Sequence, residues 1–175
     1  MIYLYVALIL VVVLLVINLV ILPQYRLKKT YEELLKLEKH GFITMIVKKK
    51  NYDFIFESED ITFLVKMVAI PSNSQVTINN KWTWRLSWGG NSKNKGRSYP
   101  NNRYLHEVVD FLKETYKKEK LTVKLILLYP QTEKILMYLN ESELDIITPD
   151  KTPYGYKVIS LNNLISQFGS LLNIK

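Results

Sequence analysis

NYDFIFESEDITFLVKMVAI, residues 51–70, holds two strand-like runs and the turn that joins them. The first run, residues 52–56, is followed by ESED, a polar turn short enough for a hairpin. The second run, ITFLVKMVAI at 61–70, is almost continuously apolar, as expected of a central strand covered on both faces. Lys66 stands alone in its middle. A lysine there is unusual unless paired or functional, because taking an ammonium out of water is costly. Asp53 lies on the strand before it.

Reading outward from this pair, residues 42–47 supply another strand, turned back by KKKN at 48–51. Before it, TYEELLKLEKHG reads as a short amphipathic helix. Thr30 and Glu33 form a capping box, Leu34, Leu35 and Leu37 give the apolar side, and Gly41 gives the stop. Downstream, Pro71 breaks the central strand. A hairpin follows, QVTI with KWTWRLSW, turned at Asn79 and Asn80. Residues 89–102 are a polar loop. Residues 103–118 read as a helix with Leu105, Val108, Val109, Phe111 and Leu112 on its buried side. Strands are expected at 121–128, 134–139 and 156–159. Ser160 then caps a last helix that turns Leu161, Leu164, Ile165 and Phe168 inward. The class is α/β (α+β), a mixed sheet flanked by helices.

Residues 2–22, IYLYVALILVVVLLVINLVIL, carry no charge, and Asn18 is their one strongly polar group. Twenty-one residues at about 1.5 Å each span a hydrocarbon core of roughly 30 Å. No basic residue precedes Arg26 and no small-residue cleavage pattern lies near Pro23, so the expectation is an uncleaved transmembrane anchor rather than a signal peptide. Asn18 is expected at headgroup level. The chain thus divides into an anchor at 1–22, a juxtamembrane segment and amphipathic helix at 23–41, and a globular domain at 42–175 that includes the helix from 30. The formal charge of +8 falls entirely after the anchor. Arg26, Lys28 and Lys29 follow the span directly, which places the domain in the cytoplasm, its N-terminus outside, on a bacterial cell membrane. Zero cysteines exclude disulfides, thiolate catalysis and cysteine zinc sites.

A carboxylate on one strand with Glu-x-Lys on the next is the layout by which many nucleases hold a divalent cation, period two placing Glu and Lys on one face. The order of features resembles the nuclease-related domain (NERD) family, a branch of the PD-(D/E)XK nuclease fold. Asp53-Phe54-Ile55-Phe56 matches its Asp strand and Phe63-Leu64-Val65-Lys66 its Glu-x-Lys strand. Trp82 and Trp84 mark its hairpin. Tyr99-Pro100-Asn101-Asn102-Arg103 stands where that family has N-P-x-x-Q. The resemblance implies a restriction-endonuclease-like domain with Asp53 and Lys66 as the catalytic remnant, Asp53 being a metal ligand if magnesium or manganese is used. Leu64 replaces the metal-binding Glu and Arg103 the Gln, so the fold is implied more strongly than the activity. Glu32, Glu33, Glu57 and Glu59 are the candidates to take the place of the missing carboxylate. Without the resemblance, Asp53 is also an ordinary strand start, and Lys66 an edge lysine reaching water.

Residues 81–103 contain Lys81, Arg85, Lys93, Lys95, Arg97 and Arg103 with no acid, interleaved with Trp82, Trp84, Trp88 and Tyr99. Basic groups among aromatic platforms suit nucleic acid, and equally an anionic membrane surface. A hairpin with its tryptophans in the core and a solvated loop explains them as well. Lys48, Lys49 and Lys50 read as a solvated turn. The expected function is a membrane-anchored, catalytically degenerate binding or scaffolding module, with nucleic acid as partner and no cofactor. Two alternatives stay open. One is an active magnesium- or manganese-dependent nuclease with a rearranged site, and the other a structural protein docked on lipid or a membrane partner.

Overall fold

The computed structural model describes residues 2–89, 97–99, 105–116, 120–139 and 143–173. It is a mixed α/β structure with two mixed sheets and a long apolar N-terminal helix. That helix begins as α1 (Ile2–Val16), passes through a π-helical turn (Ile17–Ile21) and continues as α2 (Leu22–Leu35). It is long and apolar enough to cross a membrane, as a signal sequence near an N-terminus also is, and α1 buries no residue against the protein.

The chain does not break at Pro23. The π turn sends the Leu22 N–H to the Ile17 carbonyl, and Pro23 enters the first turn of α2, where its missing N–H matters least. The expected helix start at Thr30 is therefore an interior position. Thr30 is buried and, among the described residues, its hydroxyl has no hydrogen-bond partner, so no capping box forms. Asn18 closes its amide onto the Leu14 carbonyl at 2.8 Å. Gly41 ends the segment as expected, at φ 80°, a conformation that favours glycine.

The first sheet has the order β1 (Ile43–Ile46), β2 (Phe54–Glu57), β3 (Ile61–Ala69), β7 (Leu121–Tyr129), β10 (Tyr156–Ser160). The first three strands are antiparallel neighbours, and β3, β7 and β10 run parallel. β3 is central, as its apolar run requires. The second sheet has the order β6 (Arg97–Ser98), β5 (Thr83–Trp88), β4 (Ser74–Asn80), β8 (Lys134–Tyr138), β9 (Leu144–Ile146). β3 leads into β4 and β7 into β8, so both parallel strands pass from one sheet to the other side by side. Thr132 fastens that passage by donating its hydroxyl to the Ser74 carbonyl at 2.6 Å.

Each face of the first sheet has its own core. Phe54, Phe56, Phe63, Val65, Leu125 and Leu127 pack with Leu34 and Leu37 and with the C-terminal residues Leu164, Phe168 and Leu171. Leu64, Val68, Ile126 and Leu128 face the other way, towards Trp84 and Leu86 of the second sheet and Val108 and Phe111 of α3 (His106–Lys113). The β4–β5 hairpin turns at Lys81 and Trp82, two residues later than expected, after an irregularity between Ile78 and Asn80. The C-terminal segment is a 3-10 turn (Leu161–Asn163) and a short α4 (Phe168–Leu171) rather than one helix capped by Ser160. The Ser160 hydroxyl instead accepts the Thr132 N–H at 3.1 Å.

Candidate functional site

Antiparallel pairing of β2 with β3 sets Phe54 opposite Val65, which puts Asp53 beside Lys66. The Asp53 N–H donates to the Val65 carbonyl at 2.8 Å, holding the residue in line with the strand. One carboxylate oxygen, Oδ2, accepts the Met67 N–H at 2.8 Å, and Oδ1 lies 3.5 Å from Lys66 Nζ. Lys66 points to the α3 side, with Leu64 and Val68, and is 8% exposed. From the first turn of α3, Glu107 Oε2 reaches Lys66 Nζ at 2.6 Å, with its own side chain 73% exposed. Acids are favoured at that end of a helix. Burial pushes the Asp53 carboxyl above its ordinary value; Lys66 and the Met67 N–H draw it down without cancelling that effect.

Both site residues of the first sheet are therefore brought together, and α3 adds a carboxylate that sequence reasoning did not place. An acid in a first helical turn is too common to signal a site, and only the crossing of α3 over β3 brings Glu107 to Lys66. The donor set does not fit a divalent cation. The Lys66 ammonium is shared by Asp53 and Glu107, and Asp53 Oδ2 is committed to a backbone N–H. At the Glu position of the motif stands Leu64, fully buried in the core. Among the described residues no group of three or more His, Asp or Glu side chains could hold a metal. None of the four substitutes reaches the pair. Glu33 bonds Lys36 on α2 and Glu32 is exposed there; Glu57 and Glu59 lie at the opposite end of β2.

The basic hairpin is split by the pleat. Trp84, expected as a binding platform, is 2% exposed and packs on Tyr156 with ring centroids 5.5 Å apart, so it belongs to the core. Arg85, one residue on, is exposed on the outer face and donates to the Ser98 hydroxyl. Arg97 is exposed on β6. Trp88 is half-buried against Tyr99, centroids 4.4 Å apart. Trp82 stays 46% exposed at the turn with Lys81 Nζ 4.8 Å from its ring. Trp82 and His106 border a cleft of about 420 Å³ between the hairpin turn and α3. Lys93, Lys95 and Arg103 lie outside the described residues. Lys124 joins this region: it is the β7 partner of Leu64, donates to the Leu112 carbonyl and stands 5.8 Å from the Phe111 ring. Burial lowers its pKa, and the like charge of Lys81 lowers it further. Its signal in the sequence was the one Lys66 gave, a lysine alone in an apolar strand.

Compared with protein-family models, curated proteins and solved structures, the chain matches none.

Proposed function

We propose that this chain is a single-span membrane protein whose NERD-like domain binds its partner without cleaving it, and that the partner is nucleic acid held near the cytoplasmic face of a bacterial membrane. The apolar helix followed by Arg26, Lys28 and Lys29 supports the anchor and its orientation. A mixed first sheet packed between helices and a second sheet, with Asp53 just before β2 and beside Lys66 of β3, supports the fold that the resemblance implies. The observation that carries the loss of cleavage is the closed charge cluster. Lys66 is shared by two carboxylates, and a buried leucine stands where a metal ligand would have to be. Lys81, Arg85 and Arg97 with the exposed ring of Trp82 support an electrostatic, stacking mode of binding suited to a single strand.

The test is fluorescence anisotropy of labelled single-stranded DNA and RNA on the full chain in nanodiscs, across a salt series. Neutralising Arg85, Lys93, Lys95 and Arg97 together is expected to weaken binding by at least about tenfold and flatten its salt dependence. Unchanged affinity in that variant sinks the nucleic-acid reading.

One observation favours a second reading. Glu107 is a second carboxylate at Lys66, supplied from α3 in place of residue 64. An active nuclease would then use Asp53, Lys66 and Glu107, and would need Lys66 to release both carboxylates before a divalent cation could enter. Cleavage of DNA or RNA by the full chain with magnesium or manganese, abolished by Lys66→Ala, would put this reading first.

A further inference from the structure

The two turns of the first sheet carry opposite charge and sit at opposite ends of it. Lys48, Lys49 and Lys50 follow β1, whereas Glu57, Glu59 and Asp60 join β2 to β3. The helix fixes which end faces which way. α2 continues the apolar helix without a break and packs on the domain through Leu27, Tyr31 and Leu34. Tyr31 stacks on Phe54 with centroids 6.4 Å apart, and Phe54 pairs with Ile46. After Gly41 the chain therefore runs back along α2, and the level of Ile46 is that of Tyr31. Tyr31 lies nine residues past Leu22, about 13 Å along the axis. Lys48 lies two residues beyond Ile46, about 7 Å back towards Leu22. With β1 taken as antiparallel to α2, the turn lies roughly 6 Å from the end of the apolar span, the depth of a headgroup layer. The acidic turn lies a strand length further out, where Lys120 donates to the Ser58 carbonyl at 3.0 Å.

We infer that the Lys48–Lys50 turn seats the domain on the anionic phospholipid headgroups beside its own anchor. This rests on the single-span reading above. Among the described residues Lys48 and Lys49 make no ion pair, while Lys50 is 3.8 Å from Glu114. Arg26, Lys28 and Lys29 lie on the same side, at the start of α2. Ile46, 59% exposed, adds an apolar contact at the membrane end of β1. Lys49 holds φ 62°, where glycine or asparagine would be less strained.

Because the chain has no cysteine, single-cysteine variants can carry a fluorophore. Asn51→Cys labels the basic end and Ser58→Cys the acidic end. The full chain goes into nanodiscs of phosphatidylcholine with or without phosphatidylglycerol, with a nitroxide on the headgroup as quencher. Quenching at 51 is expected to exceed that at 58 by at least about twofold and to rise with phosphatidylglycerol, and Lys48→Gln with Lys49→Gly and Lys50→Gln removes the rise. Lys49→Gly alone relieves the backbone strain, so a reduced rise in that variant cannot be put down to unfolding. Equal quenching at the two ends of a membrane-retained chain overturns the docking. So does quenching at 51 that ignores both the lipid charge and the three lysines. Extraction of the chain by alkaline carbonate would instead overturn the single-span reading, and the docking with it.

Discussion

Lys66 and Lys157 look alike in the sequence, each a lysine alone among apolar strand residues, yet the fold treats them differently. Lys66 is shared by two carboxylates, one of them exposed. Lys157, on β10, is fully buried and donates to three backbone carbonyls: Pro149 at 2.8 Å, Asp150 at 3.3 Å and Asn173 at 2.7 Å. Burial lowers its pKa, outweighing the nearby Asp150 charge, which acts the other way. Carbonyls do not titrate and cannot swing away, so Lys157 staples the turn before β10 to the C-terminal segment. Carboxylates do both, so the surroundings of Lys66 can change with pH or with a partner. A buried lysine is therefore a site candidate only where its partners are ionisable.

The largest expected effect breaks the staple. Lys157→Met fits the apolar surround but leaves three carbonyls without their donor, and is expected to cost about 3 kcal/mol, the relief of the buried charge offsetting part of a larger loss. Urea unfolding measures it. A loss under about 1 kcal/mol would mean that the carbonyls find other donors and the comparison fails. Lys66→Met is expected to cost less, about 1.5 kcal/mol, because Asp53 keeps its Met67 N–H and can take up a proton, while Glu107 returns to water. Equal losses in the two variants would make both lysines structural.

How much of this was legible in the sequence follows the same division between local and tertiary causes. β3 was readable because an apolar run bounded by turns leaves a central strand few alternatives. Gly41 was readable because a positive φ selects glycine. Asp53 and Lys66 were readable as neighbours, since a hairpin fixes its own register. The start at Thr30 was misread because the helix runs on through Pro23, which the preceding π turn admits at the first turn of α2. β6 and β9 were missed: strands of two and three residues carry no period. The expected role of Trp84 failed because the pleat of β5 turns Trp84 and Leu86 inward, opposite Ile78 and Val76, and leaves Arg85 outside. Glu107 and Lys124 take their place from the packing of α3 on the sheet, which no local pattern records.

A smaller effect sharpens the contrast through pH. The Asp53 carboxyl is raised by burial, so its folded pKa lies above its unfolded one. Its contribution to stability is then fully present below the unfolded value and is lost as pH rises through the folded value. Asp53→Asn does not titrate. The stability of the parent chain relative to that variant should therefore fall from about pH 4 upward and level off once Asp53 is ionised. A difference that rises with pH instead would mean that Lys66 outweighs burial and that the cluster is an ordinary ion pair.

The smallest expected effect is at Glu107, and it separates stability from function. Its side chain is mostly in water, so Glu107→Gln should change stability by no more than about 0.5 kcal/mol even with an ion pair of 2.6 Å. Its charge nevertheless acts on the neighbouring carboxylate, raising the Asp53 pKa. Removing that charge should lower the Asp53 pKa and shift the pH at which the parent and Asp53→Asn stabilities part, with little change in the midpoint of unfolding at neutral pH. A large loss of stability in Glu107→Gln would show that α3 is held to the sheet through this pair. Lys66 would then be a second staple, differing from Lys157 in its partners but not in its role.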